Sequence, residues 1–348
     1  MDVRLSPEQQ ELRDAAGRLV DDLGPKSVAE LDDPARTAKL DTAVAGSGWR
    51  ELRTPDGGPG PAASAVEAAI VAEELGRGAA DTPFLGPTLA AELRRRAGVP
   101  GPSPGPETVL LGPDLSGLAV AHAGEAVCSG VAVDARSATR ALALVRDGEG
   151  YGLAVVPVTG AAPGRDLTRP IATLDRAPLE REHGAGRPLT EADIETWTAF
   201  AIALTCADLV GTMRGAVRLA RSYASIRQQY GVTIGSFQSV QHMLADAFVA
   251  AEGSKSVALH AAWAADTLPA REALDAAAVA KAYCARAARE VCETAIQVHG
   301  GIGNTWECFA HVHLRRAFLS TQLLGDVGAN LDRVAAHREL GGVHDGLR

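Results

Sequence analysis

Apolar residues recur every three or four positions near the start of the chain, which is the spacing of an amphipathic helix. Ser6-Pro-Glu-Gln-Gln predicts the N-terminus of that helix, because serine suits an N-cap and proline suits the first turn. The same spacing predicts helices at about 35–45, at 64–76 and after Pro87. Residues 1–98 are therefore predicted to form an N-terminal α-helical domain.

The pattern changes after a proline- and glycine-rich stretch at 99–106, which predicts a linker. Short apolar runs then alternate with Gly, Asp and Pro, as in a small β domain. This middle β domain is predicted over 107–188. The runs lie at 109–111, 118–121, 127–133, 141–145 and 152–156.

Long amphipathic segments return at Thr190-Glu-Ala-Asp193, which resembles a capping box with Asp in place of Glu or Gln. They predict a C-terminal α-helical bundle of the four-helix type at 189–340. The predicted fold class is α+β, mainly α. The bundle helices are expected from 190 to about 225, over 237–266, over 271–299 and from 305 to about 324.

Charge and composition limit the classes of partner. The net charge of −9 over 348 residues argues against nucleic acid or a membrane surface as a partner. Five scattered cysteines without a CxxC pair fit buried thiols in a reducing cytoplasm. Neither a signal peptide nor an uninterrupted apolar run of membrane-spanning length is predicted. His299, His311 and His313 lack acidic or cysteine neighbours at ligand spacing, so no metal is expected.

Two stretches rich in glycine and side-chain amides interrupt the predicted bundle helices. They are Arg227-Gln-Gln-Tyr-Gly-Val-Thr-Ile-Gly-Ser-Phe-Gln238 and Gln297-Val-His-Gly-Gly-Ile-Gly-Asn-Thr-Trp-Glu307. An arginine fork suits phosphate, and glycines let backbone amides approach a ligand. Taken alone, an arginine and glycines at helix ends also serve as ordinary caps. The chain has no Rossmann fingerprint, P-loop or Gly-x-Ser-x-Gly segment, so those classes have no support.

Both stretches resemble signatures of the acyl-CoA dehydrogenase family, and the resemblance extends over nearly the whole chain. The segment from Arg227 to Asp246 resembles R-x-Q-F-G-x-x-I-x-x-F-Q-x-x-Q-x-x-L-A-D, and Gln297 to Gly303 resembles Q-x-x-G-G-x-G. The resemblance implies FAD as the cofactor, held by a neighbouring chain. The residues implied to contact its dinucleotide half are Arg227, Gln229, Tyr230, Phe237, Gln238, Gln297, Gly300 and Gly301.

The chain departs from the family where the acyl-CoA thioester reacts. Family members desaturate the thioester with a glutamate base, which usually lies in an E-G-T segment; Leu324 stands at that position. Where members place the glutamate in the first bundle helix, this chain has Ala201. The T-E-P-x-x-G-S-D loop beside the flavin is also missing, and 121–129 is expected in its place. The resemblance therefore implies no catalytic residue in this chain.

These departures imply the non-catalytic subunit of a heteromeric (α2β2) acyl-CoA dehydrogenase, an oxidoreductase acting on CH–CH bonds. The implied partner is a second homologue that carries the glutamate, with electron-transfer flavoprotein as the electron acceptor. Actinobacterial steroid side-chain degradation uses such enzymes, which makes a steroid side-chain acyl-CoA a candidate substrate. Two alternatives stay open: a homo-oligomeric flavoenzyme with Asp326 or Glu307 as its base, and a flavin-free structural subunit.

Overall fold

The computed structural model describes residues 4–55, 57–58, 60–99, 105–148, 150–161, 164–181 and 186–342. The helices are α1 (Pro7–Leu23), α2 (Pro34–Gly46), α3 (Ala65–Arg77), α4 (Leu85–Ala97), α5 (Glu191–Ile226), α6 (Gln238–Thr267), α7 (Ala270–His299), α8 (Ala310–Gln322) and α9 (Val327–Gly342). The strands are β1 (Glu107–Leu111), β2 (Val120–Ala121), β3 (Val127–Ala132), β4 (Arg140–Asp147), β5 (Gly150–Pro157), β6 (Ala172–Pro178), β7 (Glu180–Arg181), β8 (Gln228–Gln229) and β9 (Val232–Thr233).

The N-terminal helices begin at side-chain caps. The Ser6 hydroxyl accepts a hydrogen bond from the Gln9 amide at 3.2 Å, and the Gln9 side chain accepts one from the Ser6 amide at 3.1 Å. Ser64 caps α3 in the same way. Helix α4 begins at Leu85, before the predicted start, and Pro87 lies in its first turn, where an amide has no intrahelical partner.

Strands β1 to β7 form one sheet in the order β6-β3-β1-β4-β5-β7, with β2 paired to β4, and β8 and β9 form a separate pair. Strands β1 and β4 are parallel, whereas β4 and β5 form an antiparallel pair from Arg140↔Pro157 to Asp147↔Gly150. Strands β6 and β7 were not predicted from the sequence. Buried and exposed positions alternate along β6, so only Ala172 and Leu174 are buried and no apolar run marks the strand.

Helix α5 is the central element of the bundle and packs against α3, α6, α7 and α8. It is the one helix among the described residues that is long and apolar enough to cross a membrane, but 89% of its most apolar 18-residue window is buried. That burial is typical of the core helix of a folded bundle. No membrane span was expected from the sequence, because polar residues such as Thr205 and Asp208 interrupt the apolar run of this helix.

Helices α3 and α5 cross in backbone contact. A Cβ on Gly211 would lie 1.8 Å from the Glu73 carbonyl oxygen, and one on Gly76 would lie 2.4 Å from the Asp208 carbonyl oxygen. Glycine is therefore required on both sides of the crossing, because any side chain would push the helices apart. This contact brings the N-terminal helices directly against the bundle. The division into three domains stays an interpretation of the element order.

Two further differences from the expected bundle lie near its C-terminus. Helix α8 begins at Ala310 rather than at 305, since residues 305–309 form a turn. Helix α9 was not predicted. It begins after Asp326, whose carboxylate accepts a hydrogen bond from the Ala329 amide at 2.9 Å.

Candidate functional site

The two glycine- and amide-rich stretches lie at the same end of the bundle. Helix α6 lies between α5 and α7 along the chain and packs against both, so α5 and α7 run in the same direction and end together. Near these ends the rings of Tyr223 and His299 stack with centroids 4.5 Å apart. Tyr223 lies one turn before Arg227, and His299 directly precedes Gly300. The predicted site residues therefore come from two helix ends that touch.

The stretch after α5 is a β-hairpin rather than an irregular loop. Strands β8 and β9 pair Gln228 with Thr233 and Gln229 with Val232. Tyr230 (φ 54°) and Gly231 (φ 81°) form the turn, and two positive φ angles are the mark of a tight type I′ hairpin. The Tyr230 side chain is 94% exposed, and its ring meets that of Phe237 edge-on at 6.4 Å.

The stretch after α7 exposes its backbone. Gly300 has a φ of 66°, which ends α7, and a 3₁₀ helix follows over Gly300–Asn304. A Cβ added to Gly300 or Gly301 would meet nothing within 4 Å. Gln297 lies exposed on the last turn of α7. A ligand can therefore approach the main chain here without steric hindrance.

Several hydrogen-bond donors at this end have no partner within the described part of the chain. They are the guanidinium of Arg227 and the side-chain amides of Gln229, Gln238 and Gln297, all exposed. The backbone amide of Arg227 closes α5 by donating to the Tyr223 carbonyl at 2.9 Å. The Arg227 side chain is exposed. A planar cation, amides and open backbone are a donor set that suits a diphosphate and a ribose. The residues present therefore fit the dinucleotide half of FAD.

The position expected to correspond to the family's glutamate lies in a different, closed environment. Leu324 is only 1% exposed and has a φ of 63°. Its amide donates to the Leu115 carbonyl at 2.7 Å, and its own carbonyl accepts from Arg333 at 2.6 Å. Arg333 also donates to the Ser116 carbonyl at 2.8 Å. The turn that follows β1 is thus bonded directly to the turn that follows α8.

The residues bonded to Leu324 lie outside 121–129, the segment expected in place of the family's flavin-side loop. Residues 121–129 run from β2 through an exposed turn into β3. The segment that lies against Leu324 is the turn after β1, at 112–118, where Leu115 has a φ of 60°. Its Gly112-Pro-Asp-Leu-Ser-Gly117 composition was the available signal, since such a turn directly after the first strand marks a sharp loop.

A buried ion cluster fills the space between the sheet and the bundle. Asp208 of α5 accepts from Arg169 at 3.0 Å and from Arg316 of α8 at 2.6 Å, and the Ser320 hydroxyl adds a bond at 2.8 Å. Burial opposes ionisation, but the two arginines hold the pKa of Asp208 below its usual value. The cavity beside the cluster measures about 10 Å³. It has room for roughly one water molecule and none for a thioester.

The other candidate acids have different surroundings. Glu307 and Asp246 are exposed, and Asp326 is exposed and caps α9. Ala201 is fully buried in α5. None of these positions places a carboxylate in an enclosed cavity.

Lys281 is a buried residue that the sequence reading missed. Its ammonium donates to the Ser320 carbonyl at 2.6 Å and to the Leu323 carbonyl, so it closes the C-terminal end of α8 beside Leu324. Burial lowers the pKa of Lys281 to about 8. A lysine in the middle of α7 gives no sequence signal for this role, because the carbonyls it binds are distant along the chain.

Cysteines and histidines contribute no metal centre in the described ranges. All five cysteines are free and buried. No group of three or more His, Cys, Asp or Glu residues lies in metal-binding proximity within the residues that the structure describes. Burial, with a smaller contribution from Arg316, lowers the pKa of His313 to about 3, so that imidazole is neutral at physiological pH.

Comparison with known proteins assigns the family. The C-terminal bundle matches the sequence profile "Acyl-CoA dehydrogenase, C-terminal domain" over residues 198–337. Acyl-CoA dehydrogenase IpdE2 of Mycobacterium tuberculosis is 31% identical over 287 residues, which cover 80% of this chain and 79% of that protein. The chain belongs to the acyl-CoA dehydrogenase family. Acyl-CoA dehydrogenase FadE34 of the same organism is 34% identical, but the chain spans only 32% of its length.

Solved structures of this family share the whole fold. A steroid acyl-CoA dehydrogenase, the Tcur3481–Tcur3483 G363A variant, superposes with a TM-score of 0.80 at 23% identity, covering 96% of this chain and 98% of that chain. The ChsE4–ChsE5 complex of Mycobacterium tuberculosis gives 0.77 at 22% identity, covering 99% and 100%. The predicted fold class is confirmed. FAD is the cofactor of the family, which confirms that expectation as well.

Proposed function

We propose that this chain is the non-catalytic subunit of a heteromeric (α2β2) acyl-CoA dehydrogenase. In this assignment it supplies residues that hold the dinucleotide half of an FAD at the interface with a partner subunit. The partner is a second acyl-CoA dehydrogenase homologue that carries the glutamate base. The reaction is α,β-desaturation of an acyl-CoA thioester in the cytoplasm, with electron-transfer flavoprotein as the electron acceptor.

The observation that carries this proposal is the contrast between the two ends of the site. At one end, Arg227, Gln297 and Gly301 are exposed and free to meet a ligand. At the other end, Leu324 is buried and bonded to Leu115. A self-sufficient enzyme of this family needs both a positioned base and an enclosed space for the thioester. The surface that would contact FAD at a subunit interface is open, whereas the position expected for a base in this chain is buried.

Bound FAD supplies the hydride acceptor of the reaction. The residues of this chain are assigned to binding and orientation: Arg227 to the diphosphate, and the amides of Gln229, Gln238 and Gln297 to the polar groups of the adenosine side. Tyr230 and Phe237 form an aromatic edge next to them. No proton transfer is assigned to any residue described here.

The substrate is proposed by similarity. One similar structure, Tcur3481–Tcur3483, is a steroid acyl-CoA dehydrogenase. Another, ChsE4–ChsE5, is a complex of two different chains. A steroid side-chain acyl-CoA is therefore the first substrate class to test, with recognition assigned to the partner because the thioester end of this chain is closed.

Two alternatives make different predictions. A homo-oligomeric flavoenzyme would need Glu307 or Asp326 as its base, but one is exposed and the other caps α9. A flavin-free structural subunit would leave the unpaired donors around Arg227 without a ligand. The flavin-free alternative leaves the exposed groups that suit a diphosphate unexplained, whereas the homo-oligomeric alternative is disfavoured only by its lack of an enclosed base.

Co-expression with an acyl-CoA dehydrogenase homologue encoded by a neighbouring gene tests the proposal. The complex should purify yellow, with one FAD per heterodimer counted by absorbance against protein concentration. This chain alone should purify colourless or insoluble. A yellow, active homo-oligomer of this chain alone would contradict the proposal, and a stable complex without flavin would favour the structural alternative.

A further inference from the structure

Trp306 is the most exposed of the four tryptophans in the chain. Trp49 and Trp197 are buried and Trp263 is half-buried, but the Trp306 side chain is 63% exposed. An indole gains much from burial, so a largely exposed one marks a surface that meets a partner or ligand.

The exposed indole is held in a fixed orientation. The guanidinium carbon of Arg315 lies 5.4 Å from the ring centroid, and the His311 ring meets it at 5.0 Å with an interplanar angle of 83°. The guanidinium of Arg315 also donates to the Arg165 carbonyl at 3.4 Å. Because Arg315 covers one face and most of the side chain is still exposed, the opposite face is available for stacking.

The indole follows, within a few residues of the chain, the glycines assigned to the dinucleotide. It follows the 3₁₀ turn of Gly300–Asn304, and the Thr305 amide and hydroxyl donate back to the Ile302 carbonyl at 2.9 Å and 2.8 Å. Ile302 is itself partly exposed. The end of α7 therefore offers open backbone and an amide on one side and a flat apolar surface on the other. An adenine nucleotide has the same two parts: a polar ribose diphosphate and a flat aromatic base.

We propose that Trp306 is a stacking platform for the adenine of the dinucleotide that this chain holds for its partner. The inference rests on the proposed function and names the residue that recognises the base. Stacking of a base on an aromatic side chain typically strengthens binding by about an order of magnitude or more. The competing explanation is that Trp306 packs against apolar residues of the partner subunit.

The test uses the co-purified complex after removal of its flavin. FAD is titrated back and followed by flavin fluorescence for the wild type, Trp306→Leu and Trp306→Phe. The leucine variant should weaken FAD binding about tenfold or more, and the phenylalanine variant by about threefold or less, since it keeps an aromatic face. Phe248→Leu, an exposed aromatic residue on α6, is the matched control and should leave the affinity unchanged.

Part-ligands separate stacking from packing. The inhibition constant of ADP, which carries the adenine, should rise in the Trp306→Leu complex about as much as the dissociation constant of FAD. The inhibition constant of FMN, which lacks the adenine, should be the same in both complexes. An unchanged FAD affinity in Trp306→Leu would overturn the inference. An equal loss of affinity for ADP and FMN, together with weaker subunit association, would also overturn it. Both results would leave the proposed function intact. A wild-type complex that binds no FAD would overturn both.

Discussion

The backbone amide of Leu324 donates a hydrogen bond to the carbonyl oxygen of Leu115 at 2.7 Å. The bond joins the turn after α8 to the turn after β1, and Leu324 is the position at which the family resemblance expects the glutamate base. The side chain of Leu324 is only 1% exposed. The position expected for the family's base is therefore a closed turn in the described part of the chain.

Restoring a carboxylate at this position should not restore catalysis. Leu324→Glu places an unpaired acid in a fully buried site, so we expect the free energy of unfolding to fall by several kcal/mol, about 2–5. The FAD count of the complex should stay at one per heterodimer. The measurements are denaturant unfolding and flavin stoichiometry. Leu331→Glu, on the exposed side of α9, is the control and should change stability little. A second flavin per heterodimer in Leu324→Glu would show that the closed site can open.

Arg227 should set the affinity for the diphosphate. Arg227→Gln removes the unpaired guanidinium, and loss of a charge-assisted contact of about 1.5–3 kcal/mol predicts FAD binding weaker by about tenfold or more. Arg227→Lys keeps the charge without the planar fork and should fall between the two. Fluorescence titration of the flavin-depleted complex measures the effect. Arg289→Gln, an exposed arginine paired with Glu293 on α7, should leave it unchanged. Equal affinities for all four forms would remove Arg227 from the site.

Asp208 should be a main source of stability. Asp208→Asn leaves Arg169 and Arg316 buried without their shared anion, which is expected to cost about 3–5 kcal/mol of unfolding free energy. Because its folded pKa is depressed, the contribution of Asp208 is present above its unfolded pKa and lost as the pH falls through the acidic range. Asp246→Asn, exposed on α6, is the control. Similar midpoints of denaturation for the two variants would mean that the cluster contributes little.

Lys281 should make stability rise with pH in the alkaline range. Its folded pKa of about 8 lies below the ordinary value of 10.5, so between these values the unfolded chain binds the extra proton. The free energy of unfolding of the wild type should therefore increase from pH 8 to pH 10.5 relative to Lys281→Met, which lacks the titrating group. Urea unfolding of both proteins across this range measures the difference. Parallel pH profiles would show that the ammonium is not penalised by burial.

The sequence predicted most helices because their signals are local. Ser6 and Thr190 are side-chain caps whose partners lie within three residues, so residue type and spacing identified them. The bond between Leu115 and Leu324 was not predicted, since it joins residues far apart in the chain. Lys281 and the Arg169–Asp208 pair escaped for the same reason: a buried ion pair depends on which elements fold together, and no local pattern encodes that.

The dinucleotide-binding residues were named from a resemblance, and the structure adds their relationship to one another. The stacking of Tyr223 on His299 explains how two distant signatures reach one surface. Their contact with FAD stays a prediction, tested by the Arg227 and Trp306 variants. The exposure of Trp306 was invisible in the sequence, where a tryptophan after a glycine-rich turn fits a buried anchor equally well.

The tight hairpin after α5 affects the stability of unassembled copies of this chain in the cell. It carries Tyr230 beyond the end of the bundle, next to the exposed side chains of Ile226 and Val232. An unpaired copy would present this apolar tip to chaperones and proteases, whereas an assembled copy would cover it. We therefore expect the two subunits to be made in matched amounts, and surplus copies of this one to be degraded rather than stored.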